Sequence, residues 1–305
     1  MNYLVYLRYI TVHTHNLLNY SIYFAILSKR CYTFQRKRKF IRRNILILNI
    51  GKHNFMVIEK GVYYFDVSDY PHLNDYELNN IIAFISYEKA HGRQTEIVCN
   101  NKIILSIIMN ATAHIDGTEY IAPNVIGNVF VYHATDIFAA QQILFSGKLL
   151  SAAKVYGKSG QELAHEKRES SWNDPTDYFE YIMFCWGDTP TGDYVVLSED
   201  PASKNDLIKG NFNAGIRFYF RYGDIIRHPK HVFDGYHAIK VKDEIALSDY
   251  LFACIVPKQF KNELQEYVPQ ELAAKVHYLS QKGIGLVEWN EKVFHFAISI
   301  NNYPD

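Results

Sequence analysis

A histidine that could take part in catalysis stands at the end of an apolar stretch. Residues 128–133 are mostly apolar and end in His133, which is followed by Ala134 and Thr135. A short apolar run predicts a buried strand, so we expect His133 where that strand meets the edge of its sheet. An imidazole there can hydrogen-bond a ribose hydroxyl through either ring nitrogen. The alternative is a core histidine bonded to the backbone, which is the commoner fate of an isolated histidine.

The residues after His133 make the first interpretation more specific. Tyr132-His133-Ala134-Thr135 precedes a predicted helix and then the run Ile-Leu-Phe-Ser-Gly-Lys-Leu-Leu at 143–150. This arrangement resembles the first motif of the ADP-ribosyltransferase superfamily, in which a strand ends in His, a small residue and Thr before a helix and an Ile-Leu-x-Ser-Gly-x-Leu turn. Within that superfamily the chain is most similar to DarT-like enzymes and tRNA 2′-phosphotransferases. The resemblance implies an α+β fold with a split β-sheet core and flanking helices, and a site for NAD.

The resemblance also implies the residues that bind NAD. His133 and Thr135 would hold the ribose. Tyr194 and Ser198, near the end of a second strand, would line the nicotinamide pocket. Arg168 would bind phosphate, because a planar guanidinium contacts a pyrophosphate with two hydrogen bonds.

The catalytic acid implied by the resemblance comes late in the chain. Glu244, in Lys-Asp-Glu-Ile-Ala-Leu at 242–247, would polarise the ribose as its glycosidic bond opens, since negative charge stabilises the positive centre that departing nicotinamide leaves. Asp243 is the competing acid, because strand alternation does not decide between neighbours. The implied activity is a transferase that passes ADP-ribose from NAD to a macromolecular acceptor, either protein or nucleic acid, with toxin, defence and housekeeping roles all open.

Two other functions are consistent with the residues. The same fold could serve as a non-catalytic nucleotide-binding or interaction module. A metal-dependent hydrolase is the other, because His228, His231, Asp234 and His237 recur every third residue, and His and Asp are ligands for zinc. A polar loop is the simpler interpretation of that spacing. A Gly-x-Gly-x-x-Gly motif is absent, so a Rossmann fold has no support.

Charge is distributed unevenly along the 305 residues. Residues 1–55 hold ten Lys or Arg and no Asp or Glu, which leaves 22 basic and 32 acidic residues and a net charge of −10 for the rest. An acidic bulk is unsuited to nonspecific duplex binding, which requires neutralisation of phosphates. The four cysteines stand far apart, which predicts a reduced, cytoplasmic protein. Composition does not indicate an oligomeric state.

Residues 1–55 form a basic N-terminal extension. Residues 1–28 are rich in Tyr, Leu and Ile, but Arg8, His13 and His15 interrupt them, which makes the stretch a poor membrane span. A basic cluster follows at 29–43. A transit peptide or a basic helix on a membrane surface is one possibility. The other is a misassigned start, with Met56 as the working first residue.

The remaining chain divides into two predicted parts. Residues 56–125 predict a small α+β unit: a strand within 57–67, a helix over 76–90 capped by Asn74-Asp75, a strand at 95–99 and a helix at 103–111. Residues 126–305 predict the ADP-ribosyltransferase-like domain. There, Thr135 or Asp136 caps a helix that Gly147 ends, and strands follow at 194–197, 215–221, 244–247 and 251–256. A helix over 269–283 and a terminal hairpin of 284–289 with 293–300 complete it.

Overall fold

The computed structural model describes residues 45–52, 61–115, 129–166, 175–197 and 202–302. These residues form a mixed α+β structure with a seven-stranded sheet, a three-stranded sheet and a two-stranded ribbon, which confirms the α+β class. The strands are β1 Ile45–Gly51, β2 Val62–Asp66, β3 Gln94–Cys99, β4 Phe130–Thr135, β5 Lys148–Leu150, β6 Tyr181–Trp186, β7 Ile216–Arg221, β8 His231–Val232, β9 Ile239–Lys242, β10 Glu244–Ala246, β11 Leu251–Pro257 and β12 Val276–Leu279. The α-helices are α1 Asp75–Ala90, α2 Lys102–Thr112, α3 Ile137–Ser146, α4 Ala152–Tyr156, α5 Gly160–His165, α6 Thr191–Leu197, α7 Lys204–Lys209, α8 Tyr222–Ile225, α9 Leu247–Tyr250, α10 Lys261–Leu264 and α11 Leu286–Asn302. Short 3-10 helices span Thr176–Glu180, Lys258–Phe260, Gln265–Tyr267 and Gln270–Lys275.

The small unit is a parallel sheet of order β2-β1-β3 with α1 and α2 against it. The predicted cap of α1 is confirmed, since the Asn74 side chain accepts from the Glu77 amide and the Glu77 carboxylate accepts from the Asn74 amide. This reciprocal pair satisfies two donors that a helix N-terminus otherwise leaves unbonded. One sheet face is buried against the helices, through side chains such as Leu48 of β1, Phe84 of α1 and Ile108 of α2.

The small unit begins upstream of the boundary expected at residue 56. Ile45–Gly51 is the middle strand and pairs in parallel with β2 on one side and β3 on the other. Its side chains alternate along the strand: Leu46, Leu48 and Ile50 are buried, and the residues between them are half-buried. The boundary at residue 56 reflects charge composition, which carries no information about the two-residue period of a strand. The expectations for residues 1–44 lie outside the described residues.

The large sheet has the order β12-β11-β7-β4-β6-β9-β8. Only β11 and β12 pair in parallel; the other neighbours are antiparallel. β4 lies at the centre, and its side chains alternate between two hydrophobic clusters, with Val131 in one and Tyr132 in the other. The end of β4 is therefore supported by packed layers on both sides, which positions the candidate site.

Three predicted elements were wrong. The strand over 194–197 is helix α6, Thr191–Leu197, and the hairpin over 284–300 is the single helix α11. In α11 the buried residues Leu286, Trp289, Val293 and Ala297 follow the helical spacing of three to four residues. The predicted helix over 269–283 is instead a 3-10 helix, Gln270–Lys275, followed by β12. Pairing along the open edge of β11 outweighs the local helix signal there.

Candidate functional site

The ring of His133 is anchored by one nitrogen. Its Nδ1 lies 3.2 Å from the carbonyl oxygen of Met183 on the neighbouring strand, and its ring meets Phe184 edge-on with centroids 6.5 Å apart. Burial lowers the pKa of His133, which favours the neutral imidazole. Because a carbonyl oxygen only accepts, Nδ1 carries the proton, and Nε2 is left with a lone pair that can accept a hydrogen bond.

The helix after His133 is capped by one of the two expected residues. Asp136, rather than Thr135, is the N-cap of α3, and its carboxylate accepts from the Ala139 amide at 2.8 Å. Gly147 ends the helix with a left-handed φ of 67°, a conformation that glycine adopts without steric cost. Thr135 ends β4, half-buried and paired with Ile216.

The turn of the first motif pairs with the segment that carries the predicted acid. Residues Lys148–Leu150 form β5, which is antiparallel to β10, with Glu244 opposite Leu150. The Leu247 amide also donates to the Gly147 carbonyl at 2.9 Å. Two segments that lie about a hundred residues apart in sequence are thus adjacent in the fold.

Glu244 and Asp243 occupy different environments. The Glu244 carboxylate lies 3.0 Å from Lys148 Nζ, and the two side chains are 45% and 49% exposed. Asp243 has a left-handed φ of 69° and forms a corner at which its amide donates to the Glu180 carbonyl. Its hydrogen bond with Lys230, 2.7 Å long, lowers the pKa of Asp243. Asp243 is therefore held at a structural corner, and Glu244 is the more accessible acid.

Strand register relates His133 to Glu244. β4 and β9 flank β6 and are both antiparallel to it, so their carboxyl ends meet at one edge of the sheet. The two strands lie about 10 Å apart at ~4.8 Å per neighbour. In this register Asp243 lies beside Glu180, the residue before β6, and His133 lies beside Phe184. Glu180 and Phe184 are four residues apart, which corresponds to ~13 Å along the strand. The Cα atoms of His133 and Glu244 are thus on the order of 15–20 Å apart, at one edge but without contact.

The other predicted NAD-binding residues are only partly placed. Tyr194 lies in α6 and packs, half-buried, against the cluster that contains Tyr132. Arg168 and Ser198 lie outside the described residues. A cleft of about 610 Å³ is lined by α7, by residues 210–213 and by Gln259, Gln281 and Lys282, but by neither His133 nor Glu244. The structure therefore brings Thr135 and His133 together on β4 and leaves Tyr194 above the opposite face.

The histidine-rich loop does not assemble as a metal site. Asp234 is fully buried, with its carboxylate 2.8 Å from His237 Nδ1 and 2.9 Å from Lys240 Nζ. His228 Nδ1 accepts from the Lys230 amide, and His231 Nδ1 lies 2.8 Å from the His228 carbonyl. Across the described ranges, no three His, Cys, Asp or Glu side chains converge to hold an ion.

A buried charge cluster where the two units meet was not anticipated. Lys240 of β9 is fully buried, and its ammonium lies 3.8 Å from the ring centroids of both Tyr87 and Tyr178. Tyr87 comes from α1 of the small unit, and Tyr178 from the 3-10 helix before β6. In the sequence, Lys240 lies between the apolar residues 239 and 241. The same alternation is found in a strand whose second face is exposed to solvent, so it does not predict that Lys240 is buried.

The same joint holds three more charged groups. Arg93 is ion-paired with Glu88 and with Asp177. The Tyr178 hydroxyl donates to Glu88 at 2.9 Å and the Tyr87 hydroxyl to Asp177 at 2.9 Å. The small unit and the large sheet are therefore joined by a buried polar network.

A second buried ion pair holds α6 over the end of β4. Arg217 of β7 and Asp193 of α6 are both fully buried and ion-paired, and the Arg217 guanidinium lies 4.4 Å from the Tyr132 ring centroid. The Tyr132 hydroxyl accepts from the Gly192 amide at 2.9 Å. A Cβ at position 192 would lie 2.8 Å from the Tyr132 ring, so only glycine permits this close approach.

Comparisons with protein-family models, with curated proteins and with solved structures found no match for this chain. In the part of the chain that the structure describes, no helix is long and apolar enough to cross a membrane.

Proposed function

We propose that the chain is an NAD-dependent ADP-ribosyltransferase that modifies a macromolecular acceptor, with an ADP-ribosyltransferase-like fold over residues 126–305. The observation that carries the proposal is the state of His133. Its Nδ1 is engaged with the Met183 carbonyl and burial keeps the ring neutral, so Nε2 accepts from a hydroxyl at the sheet edge. The hydroxyls of a ribose are suitable donors, so the residue fits NAD as a substrate.

The reaction is a substitution at the ribose carbon that bears nicotinamide. The glycosidic bond breaks with its electron pair leaving on nicotinamide, and an oxygen or nitrogen of the acceptor forms the new bond and releases its proton to solvent. Glu244 lies at the same edge as His133 and carries the negative charge that stabilises the developing positive centre. Its ion pair with Lys148, 3.0 Å long, orients the carboxylate.

The remaining residues have supporting roles in the proposal. Thr135, at the end of β4, contributes a hydroxyl beside His133. Ser198 lines the nicotinamide side, and Arg168 binds the phosphates. Tyr194 has no role in the proposal, because it lies in helix α6 on the opposite face of the sheet from His133.

The test is release of nicotinamide from NAD, measured by chromatography with and without a cell extract as acceptor pool. Glu244→Gln keeps the side-chain shape and removes the charge, and we expect a loss of about 100-fold or more. Glu266→Gln, at an exposed site in a 3-10 helix, is the matched control and should retain full activity. Equal release by Glu244→Gln and the native protein would refute the assigned role of Glu244.

A second candidate function, a nucleotide-binding module without turnover, is favoured by two observations. The Glu244 carboxylate is already occupied by Lys148, and the strand register leaves His133 on the order of 15–20 Å away. Calorimetry separates the two functions: the module binds NAD, loses that binding in His133→Ala, and releases no nicotinamide with any acceptor. His295→Ala, an exposed histidine of α11, is the control for nonspecific loss.

A further inference from the structure

The cleft of about 610 Å³ lies at one edge of the large sheet. Residues 210–213 lead into β7, Gln259 follows β11, and Gln281 and Lys282 follow β12. Because β11 is antiparallel to β7 and parallel to β12, these three segments meet where β7 begins. A volume of this size is within the range of about 300–1,000 Å³ that small-molecule sites occupy. His133 does not line the cleft, so the cleft is separate from the proposed NAD site.

One wall of the cleft is fixed by close contact between backbones. A Cβ at Gly210 would lie 2.5 Å from the carbonyl oxygen of Ile284, and a Cβ at Gly285 would lie 2.8 Å from that of Ile208. Because a larger residue does not fit at either position, the end of α7 packs directly against residues 284–285. A wall packed in this way is formed before a ligand binds, which lowers the cost of binding.

A buried glutamine joins the three segments that meet at the cleft. Gln281 is 3% exposed, and its amide nitrogen donates to the Phe212 carbonyl at 2.7 Å. Its oxygen accepts from the Ala214 amide at 3.2 Å and from the Gln259 side chain at 3.1 Å. The segments after β11 and β12 are thereby held to the segment before β7. The Gln259 amide keeps a second N–H and an oxygen with which it can bind a ligand.

The lining of the cleft is polar but carries no net charge. Its polar side chains are four amides, one carboxylate and one ammonium: Asn211, Asn213, Gln259, Gln281, Asp206 and Lys282. Anionic ligands such as phosphates are bound by clusters of cationic side chains, and the described lining has one. An amide both donates and accepts hydrogen bonds, as a sugar hydroxyl does. The lining therefore suits a neutral ligand that is rich in hydroxyl groups.

We propose that this cleft binds a neutral saccharide of one or two rings. Asn213 and Gln259 are exposed at the cleft and form hydrogen bonds with the sugar hydroxyls. Leu197 and Phe212 line the cleft from the hydrophobic cluster that contains Tyr132, and they contact the apolar C–H groups of the ring. Saccharide binding is additional to NAD-dependent transfer and does not depend on it, because the residues proposed to act on NAD by direct contact do not line the cleft.

The test measures binding of five sugars to the full chain by nuclear magnetic resonance titration: glucose, galactose, mannose, N-acetylglucosamine and maltose. Asn213→Ala and Gln259→Ala each remove one amide at an exposed position of the cleft. Asn205→Ala, at an exposed position of α7 that does not line the cleft, is the matched control. Urea unfolding of each variant verifies that it keeps the native fold.

We expect at least one of the sugars to bind, with an affinity about three- to tenfold weaker in Asn213→Ala and in Gln259→Ala and unchanged in Asn205→Ala. A lower Kd for soluble starch than for maltose would support the proposal with a polysaccharide as the source of the sugar, and equal values would support a free sugar.

Two results would overturn the proposal. One is that none of the five sugars binds, or that binding is the same in all three variants and the native protein. The other is that inorganic phosphate binds in place of sugar and that Lys282→Ala abolishes this binding, which would identify an anion site.

Discussion

Replacing Lys240 with methionine removes a buried ammonium while keeping the length of the side chain. In the native protein that ammonium lies 2.9 Å from the Asp234 carboxylate, and both side chains are fully buried. Although burial opposes it, Lys240 holds the pKa of Asp234 well below its usual range. The substitution therefore leaves an ionised carboxylate in the core with His237 as its remaining side-chain partner.

The expected magnitude follows from the burial of both partners. Leaving one member of a buried ion pair uncompensated costs about 3–5 kcal/mol of unfolding free energy. Each of the two tyrosine rings 3.8 Å from the ammonium also loses a cation–π interaction of about 2 kcal/mol, and part of this loss is already included in the cost of breaking the ion pair. Replacing both partners, as in Lys240→Met with Asp234→Asn, removes the stranded charge, so we expect most of the loss to be recovered.

Lys242, two residues further along the same strand, provides the control. Its partner Glu180 lies at 3.0 Å, but the two side chains are 46% and 40% exposed. An exposed pair contributes about 0–1 kcal/mol, so Lys242→Met should shift stability by no more than that.

The assay is urea unfolding of the native protein, the two single variants, the double variant and Lys242→Met, with free energies from linear extrapolation. The reasoning predicts strong non-additivity, with the double variant more stable than either single one. It is refuted if the losses of the two single variants simply add in the double variant, or if Lys242→Met costs as much as Lys240→Met.

Three further predictions can be checked by urea unfolding or by hydrogen exchange. Because the pKa of His133 is lowered in the fold, the unfolded chain binds its proton more readily, so native stability should fall as pH drops below about 6.5. His133→Gln should show a flatter profile there, and an unchanged slope would contradict the assignment. Gly235 and Gly147 both have left-handed φ values, but a Cβ at Gly235 would lie 2.0 Å from a backbone oxygen of α1 whereas one at Gly147 meets nothing. Gly235→Ala should therefore lower the urea midpoint well beyond the effect of Gly147→Ala, about 1 kcal/mol, and equal shifts would contradict the close packing. A chain starting at Met56 lacks β1, so its hydrogen exchange should show no protected sheet within 61–115; retained protection would argue that β1 is dispensable.

Elements with local stop and start signals were predictable. Helix α1 begins after its Asn74 cap and α3 lies between Asp136 and Gly147, because side-chain caps and a left-handed glycine act within one turn of the backbone. The strand that carries His133 was predictable from an apolar run followed by a helix cap, although it runs two residues further than expected, to Thr135. These features depend on residues within a few positions of one another.

Elements whose secondary structure depends on contacts with residues far away in the sequence were not predictable. The apolar segments at 194–197 and 284–300 suit a strand or a helix by composition alone. Asp193 is fixed in α6 by Arg217 of β7, and Trp289 in α11 by its packing against the central sheet. Segment 276–279 becomes a strand because the edge of β11 is open to it.

The features of the candidate site likewise fall into those that local sequence determines and those that depend on long-range contacts. The residue types and their order determined that a buried strand carries a histidine near its end, that a capped helix and a glycine turn follow, and that an acidic pair occurs late in the chain. Only the tertiary structure decided that this turn pairs with the acidic segment, that Asp243 is held at a corner while Glu244 is accessible, and that Lys240 is buried among tyrosines. The physical reason is that capping is local, whereas strand pairing and burial depend on contacts between residues about a hundred positions apart.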